Sequence, residues 1–198
     1  MIRQTADSIS GVILAGGSGS RFGGENKTNI VINGEKIINR IINTLTLIFD
    51  EIIIVTNRPG EIVQPSGIKI CSDHFMNVGP LGGIHAAMKA SSKEAVFIFA
   101  GDMPYLNKEL IMKQIDFFYS NNAEAVLPMV KNYLEPLHGI YRNVLSARLE
   151  EHLISGKEYA VRDFLKNVDV RYLKLKGSKD VLKSFTNINT PGEVRRLV

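Results

Sequence analysis

The sequence predicts an α/β protein, a single three-layer α/β/α domain built around a mostly parallel sheet. Three observations carry this. Short, continuously apolar runs such as SGVILA (10–15) and AVFIFAGD (95–102) read as strands buried on both faces. Segments with apolar residues at helical spacing lie between the runs, and parallel strands need such crossovers. No internal repeat or low-complexity linker divides the 198 residues, a length that holds one sizeable core.

Taken in order, the first strand is 10–15. In 35–49, Ile37, Ile38, Ile41, Ile42, Leu45 and Ile48 fall at helical spacing. EIIIVTN (51–57) is a second strand and GIKICSD (67–73) a short third. LGGIHAAMKAS (81–91) is a helix and 95–102 a strand. NKELIMKQIDFFYS (107–120) is a helix with Asn107 as its N-cap. EAVLPM (124–129) is a strand, after which the pattern loosens. EPLHGIYR (135–142) is strand-like, 143–155 and 159–167 are helical, and VRYLKL (170–175) is a strand. TPGEVRRLV (190–198) is a closing helix with Pro191 at its first position.

Composition narrows the function. Lys and Arg number 24 against 20 Asp and Glu, a net charge of +4 spread along the chain. With no long run of like charge, nucleic-acid binding is not expected. The single cysteine, Cys71, forms no intramolecular disulfide and suits a reducing cytoplasm; at the end of an apolar run it reads as a buried small residue rather than a nucleophile. No signal peptide and no membrane span are expected.

Four stretches bear chemistry. In GVILAGGSGSRFGGENKT (11–28) a buried strand runs into a loop with five glycines. A dinucleotide fingerprint starting at Gly17 would accept Gly19 but meets Phe22 at its last position. A Walker A reading spaces Gly19 and Gly24 correctly, yet Glu25 follows and Lys27-Thr28 comes too late. What remains is a run of bare backbone amides able to nest an anion, with Arg21 and Lys27 suited to phosphate oxygens. A flexible Gly-Ser loop is the alternative.

The second stretch, AVFIFAGDMPYL (95–106), places Asp102 at the carboxyl end of a strand, where open α/β sheets bind ligands. A carboxylate there suits Mg²⁺, which takes hard oxygen ligands and bridges to phosphates; the alternative is a turn cap. In NVGPLGGIHAAM (77–88), Gly79, Gly82 and Gly83 open a helix. Their bare backbone serves close approach of a nucleotide or close helix–sheet packing. In FTNINTPGEV (185–194), Asn187 and Asn189 alternate on a strand and face the same side. Thr190 caps the helix that follows, and Asn189 can offer an oxygen to a metal or a phosphate-linked water.

With these residues quoted, a resemblance emerges. LAGGSGSRFGGENK (14–27) is similar to the LAGG-x(3)-R-[MF]-G-x(3)-K signature of nucleotidyltransferases. Together with GPLGGI (79–84), GDMPYL (101–106) and NINTPGE (187–193), it resembles the molybdenum cofactor guanylyltransferases, the MobA family, across nearly the whole chain. The resemblance implies a Rossmann-like sheet of the nucleotide-diphospho-sugar transferase type, with residues 1–105 binding nucleotide and 106–198 the acceptor. It implies transfer of GMP from GTP to molybdopterin with release of pyrophosphate. Leu14, Ala15, Gly16 and Gly17 would contact the nucleotide, and Arg21 and Lys27 the triphosphate. Asp73, Gly82 and Asn57 would also contact nucleotide, Asp102 would bind Mg²⁺, and Asn187 and Asn189 would bind the acceptor.

One position departs from the pattern. Some members carry asparagine where this chain has Val55, and Asn57 and Arg58 follow instead. His138 invites a role as base, but a phosphate acceptor needs none, so packing or pterin contact is expected. Arg162 and Asp163 belong to the acceptor pocket or to a surface ion pair. The expected setting is cytoplasmic, with transient contact to other proteins of molybdenum cofactor biosynthesis or to target proteins. Two rivals stand beside this reading. One is a cytidylyltransferase on the same scaffold, whose relatives commonly read LAAG. The other is a non-catalytic nucleotide-binding module, which would be expected to have lost Arg21, Lys27 or Asp102.

Overall fold

The run ISGVIL becomes an interior strand of the sheet, buried on both faces. The computed structural model describes residues 6–16, 27–62, 66–156 and 158–188. In chain order these form β1 (Ile9–Leu14), β2 (Val31–Ile32), β3 (Glu35–Lys36), α1 (Ile37–Leu45), β4 (Ile52–Val55), β5 (Lys69–Cys71), α2 (Pro80–Ala90) and β6 (Ala95–Ala100). There follow α3 (Lys108–Asn121), β7 (Ala125–Val130), β8 (Tyr133–Leu134), β9 (His138–Arg142), α4 (Leu145–Ser155), α5 (Val161–Phe164), β10 (Val170–Leu175) and α6 (Lys179–Ser184).

The strand order is β10-β7-β9-β6-β1-β4-β5, with β8 paired to β7. β1 pairs in parallel with β4 and β6, aligning Leu14 with both Val55 and Ala100. β9 runs antiparallel to β6 and β7, while β10 is parallel to β7. The expected mostly parallel sheet is present, and β9 is its main exception. Only seven residues separate β7 from β9. A parallel crossover needs a dozen or more, so the short connection forces the reversal.

Side-chain alternation sorts the core into two layers. Ile9 and Ile13 of β1, Ile52 and Ile54 of β4, and Phe97 and Phe99 of β6 pack under α1 and α3. Val12, Ile53, Val55, Val96 and Ile98 pack under α2, α4 and α5. α1 buries Ile37, Ile38, Ile41, Ile42 and Leu45, the stripe its spacing predicts. Asn107 caps α3, its Oδ1 accepting from Leu110 N–H at 2.9 Å.

Three elements depart from the sequence reading. The helix expected from 35 starts at Ile37, because Glu35 and Lys36 close a hairpin with β2. Asn33 (φ 51°) and Gly34 (φ 80°) make its two-residue turn, a pairing whose Asn-Gly signal was available in the sequence. Helix α6 was not expected at all. The helix expected over 159–167 is one turn of α-helix, 161–164, followed by a 3₁₀ turn, 165–167. The closing helix expected at 190–198 lies outside the described residues. No helix among the described residues is long and apolar enough to cross a membrane.

A buried carboxylate pins the amino-terminal edge of the sheet. Glu51 Oε1 accepts from Ser10 Oγ (2.6 Å) and Ser92 N–H (2.9 Å). Its Oε2 accepts from Lys69 Nζ (2.5 Å) and Ser92 Oγ (2.8 Å). Burial works against the charged form, but these four donors outweigh it and bring the carboxyl down to about 2. The folded value lies below the ordinary 4.5, so the ionised group stabilises the fold above pH 4.5. That contribution fades as pH falls toward 2. Glu51→Gln is expected to lower the unfolding free energy at pH 7 by about 2 kcal/mol, measured by urea denaturation. The gap between variant and parent should narrow steadily below pH 4.5.

Candidate active site

The carboxyl ends of β1, β4, β5 and β6 lie side by side, and three of the four stretches singled out above leave the sheet there. The ladder continues one step past the strands. Gly101 N–H donates to the Leu14 carbonyl (3.0 Å), Ala15 N–H to the Val55 carbonyl (2.8 Å), and Thr56 N–H to the Cys71 carbonyl (2.9 Å). The turns after these strands are therefore held at fixed separations before their side chains act.

At the β1–β6 junction the chains approach unusually closely. A Cβ at Gly101 would stand 2.7 Å from the Leu14 carbonyl oxygen and 2.6 Å from Thr28 Cγ2. Only glycine fits there, and its absence of a side chain lets the 3₁₀ turn Lys27–Asn29 settle onto the end of β6. The result is a contact across 75 residues of sequence, with Lys27 Nζ 3.4 Å from Asp102 Oδ2. Both side chains are partly exposed, at 28% and 21%. Ala15 is buried and Gly16 exposed beside them. Gly17 and Arg21 lie outside the described residues.

A second cluster forms at the ends of β4 and β5. Asp73 N–H donates to Asn57 Oδ1 (3.0 Å), and Asn57 Nδ2 donates to Asp73 Oδ2 (3.4 Å). Burial raises the Asp73 carboxyl, while Asn57 and the neighbouring His74 pull the other way. Its two oxygens come within 3.5 Å of where side chains would begin at Gly82 and Gly83, at the start of α2. A Cβ at Gly82 would also stand 2.8 Å from the Phe75 carbonyl, so close packing accounts for this glycine. Val55 is 2% exposed and belongs to the core, whereas Asn57 is exposed at the same end of the strand.

The carboxyl-terminal segment reaches the first cluster. Ile188 N–H donates to the Asp102 carbonyl (2.9 Å), which sets exposed Asn187 beside the Asp102 turn. Residues 186–188 form no strand, contrary to the expected alternation of Asn187 and Asn189. They follow α6 directly, and their backbone reaches the turn after β6 rather than a ladder. Asn189 and Thr190 lie outside the described residues.

Other candidates stand apart. Cys71 is partly buried, and burial followed by the Asp73 charge pushes its thiol to about 11, so it is a poor nucleophile. His138 is fully buried, and burial holds its imidazole near 4, uncharged at neutral pH. Asp163 pairs with Lys166 at 2.8 Å, the surface ion pair considered above, and Arg162 beside it is exposed. A cleft of about 460 Å³ opens on the α1 side, between α1, residues 104–107 and α6. Neither Lys27 nor Asp102 lines it. The sequence reading missed its α6 wall, where Lys183 Nζ sits 4.6 Å from the Tyr105 ring centre.

No cluster of three or more His, Cys, Asp or Glu able to hold a metal occurs among the described residues. A lone Asp102 carboxylate beside a cation suits a divalent ion that takes most of its ligands from substrate phosphates and water.

Residues 11–172 match the family model described as the MobA-like NTP transferase domain. A Peptoclostridium acidaminophilum protein named "Probable molybdenum cofactor guanylyltransferase" is 38% identical over 195 residues, covering 94% of this chain and 87% of that one. A Desulfosudis oleivorans protein named molybdenum cofactor guanylyltransferase is 33% identical over 192 residues, covering 96% and 94%. The structure is similar to that of molybdopterin-guanine dinucleotide biosynthesis protein A from Archaeoglobus fulgidus, with a TM-score of 0.81, 25% identity, and coverage of 95% and 96%. It shares its fold with a 4-diphosphocytidyl-2C-methyl-D-erythritol synthase from Anaerococcus prevotii at a TM-score of 0.72 and 18% identity. The strand-end architecture and the match over most of the chain agree: this protein is a nucleotidyltransferase belonging to the MobA-like NTP transferase family.

Proposed function

We propose that the chain transfers GMP from GTP to the terminal phosphate of molybdopterin, releasing pyrophosphate and forming molybdopterin guanine dinucleotide. The observation that carries this is the Lys27–Asp102 pair at 3.4 Å, held where the loop after β1 meets the turn after β6. A cation for the triphosphate and an acid for a divalent ion stand together there. The names of the relatives supply the base and the acceptor.

The chemistry asks little of proton transfer. The acceptor phosphate is already anionic, so its oxygen attacks the α-phosphorus of GTP in line. The bond to the bridging oxygen breaks, and pyrophosphate leaves with the electron pair. Lys27 and Arg21 hold the triphosphate and offset charge on the leaving group. Mg²⁺, on Asp102, would supply charge neutralisation across the phosphates. No general base is required, in keeping with a buried, uncharged His138.

Guanine presents two adjacent N–H donors, N1 and N2, on one edge, and cytosine does not. Asp73, positioned by Asn57, is a carboxylate able to accept both. The proposal assigns nucleotide binding to residues 1–105 and acceptor binding to 106–198, with Asn187 and Asn189 near the pterin phosphate. The proposed setting is the cytoplasm.

Pyrophosphate release from GTP, Mg²⁺ and molybdopterin tests the reading directly, with CTP as the competing substrate. Faster turnover with CTP would overturn the guanylyl assignment. Asp102→Ala is expected to slow turnover by at least ~100-fold, and near-parental Mg²⁺-dependent rates would remove Asp102 from the metal role. Asp73→Asn is expected to shrink the preference for GTP over CTP by ~10-fold or more, measured as the ratio of kcat/KM values.

A further inference from the structure

His138 is the one titratable side chain among the described residues that lies fully buried in an aromatic cage. Its ring meets Phe97 at 5.4 Å, Phe99 at 5.1 Å and Phe185 at 5.1 Å, each close to perpendicular. Neither ring nitrogen has a hydrogen-bond partner among the described residues. Two of these phenylalanines belong to β6, three and five residues before Asp102. The third follows α6 and begins the segment that carries Asn187. An edge-to-face contact orients two rings as well as attracting them, so the ring fixes where that segment starts.

The geometry points to His138 as a positioning residue, the seat on which Phe185 docks so that residues 185–188 hold Asn187 at the Asp102 turn. Two further contacts agree with this. Ile188 is fully buried, and its N–H donates to the Asp102 carbonyl at 2.9 Å. Lys183 lies over Tyr105, in the same turn region as Asp102, at 4.6 Å. α6 and the segment after it thus touch Tyr105, His138 and Asp102, and exposed Asn187 is carried between two anchors, Phe185 and Ile188. What the seat needs is a flat, apolar-edged ring. The imidazole contributes shape, and its protons take no part.

The functional half of this inference rests on the proposed role of Asn187 toward the acceptor; the structural half does not. Hydrogen exchange at the Ile188 amide reads the anchor directly in the full chain. Phe185→Leu and His138→Ala are each expected to speed that exchange at least 10-fold, with the amides of β1 unchanged. His138→Phe is expected to restore parental exchange. In turnover, Phe185→Leu should raise the KM for the acceptor about 10-fold and leave the KM for GTP unchanged, and His138→Phe should match the parent. Unchanged Ile188 exchange in both Phe185→Leu and His138→Ala would overturn the proposal. So would failure of a folded His138→Phe to restore it, since the imidazole would then matter for more than its shape. Faster Ile188 exchange with an unchanged acceptor KM would uphold the anchor and instead remove Asn187 from acceptor binding.

Discussion

The parallel pairing of β1 with both β4 and β6 is the constraint on which the rest depends. Leu14 aligns with Val55 on one side and Ala100 on the other, so three strands end at one level. Each end keeps a hydrogen bond past the strand, from Gly101, Ala15 and Thr56. With the backbone held by these bonds, short side chains suffice. Asp102, Asn57 and Asp73 each sit two residues beyond their strands and need no long reach. Glu51 performs the opposite task at the other edge, its buried carboxylate tying β1, β4, β5 and the entry to β6 through Ser10, Lys69 and Ser92.

Two separate clusters follow from this layout. Lys27 and Asp102 face one another across the β1–β6 junction, where Gly101 admits the Lys27 turn. Asn57 and Asp73 occupy the β4–β5 junction and lean on the bare start of α2. The first pair has the charges for phosphates and a metal ion. The second has a neutral amide and a carboxylate held partly out of water, which suits discrimination by hydrogen bonds. In the proposed reaction, phosphate and base would be handled at neighbouring strand ends.

The sheet around β9 is built differently. β9 reverses direction, and its first residue, His138, faces β6 at Phe99. Its neighbours on that face are phenylalanines, and the chain after α6 closes over them. Among the described residues, 185–188 are held by the Phe185 ring, by buried Ile188 and by one backbone bond at Asp102, not by a ladder. A segment held so sparingly can be displaced by small changes at its anchors, unlike the hydrogen-bonded ends of β1, β4 and β6.

The strands 9–14, 52–55 and 95–100 were legible because burial on both faces demands continuous apolar runs. α1 and α3 were legible because one buried face demands helical spacing, and the Asn107 cap because few side chains accept from a helix start. Asp102 and Lys27 could be named from local pattern, since a polar residue just past a buried strand lies at the ligand-binding edge. Asn57 and Asp73 could be named but not paired. The β2–β3 hairpin was readable from Asn33-Gly34 and the reversal of β9 from its short connection, yet both signals were outweighed by the longer apolar patterns beside them. α6 has no strong apolar stripe, and its local signal is confined to the Ser178 cap, whose Oγ accepts from Val181 N–H. The sequence by itself determined the strands, the layers and which loops carry charge, because these follow from local periodicity and residue chemistry. Only the tertiary structure decided that Lys27 meets Asp102, that Asn57 holds Asp73 and that His138 seats Phe185. Those contacts span 75, 16 and 47 residues, and no local rule acts over such separations.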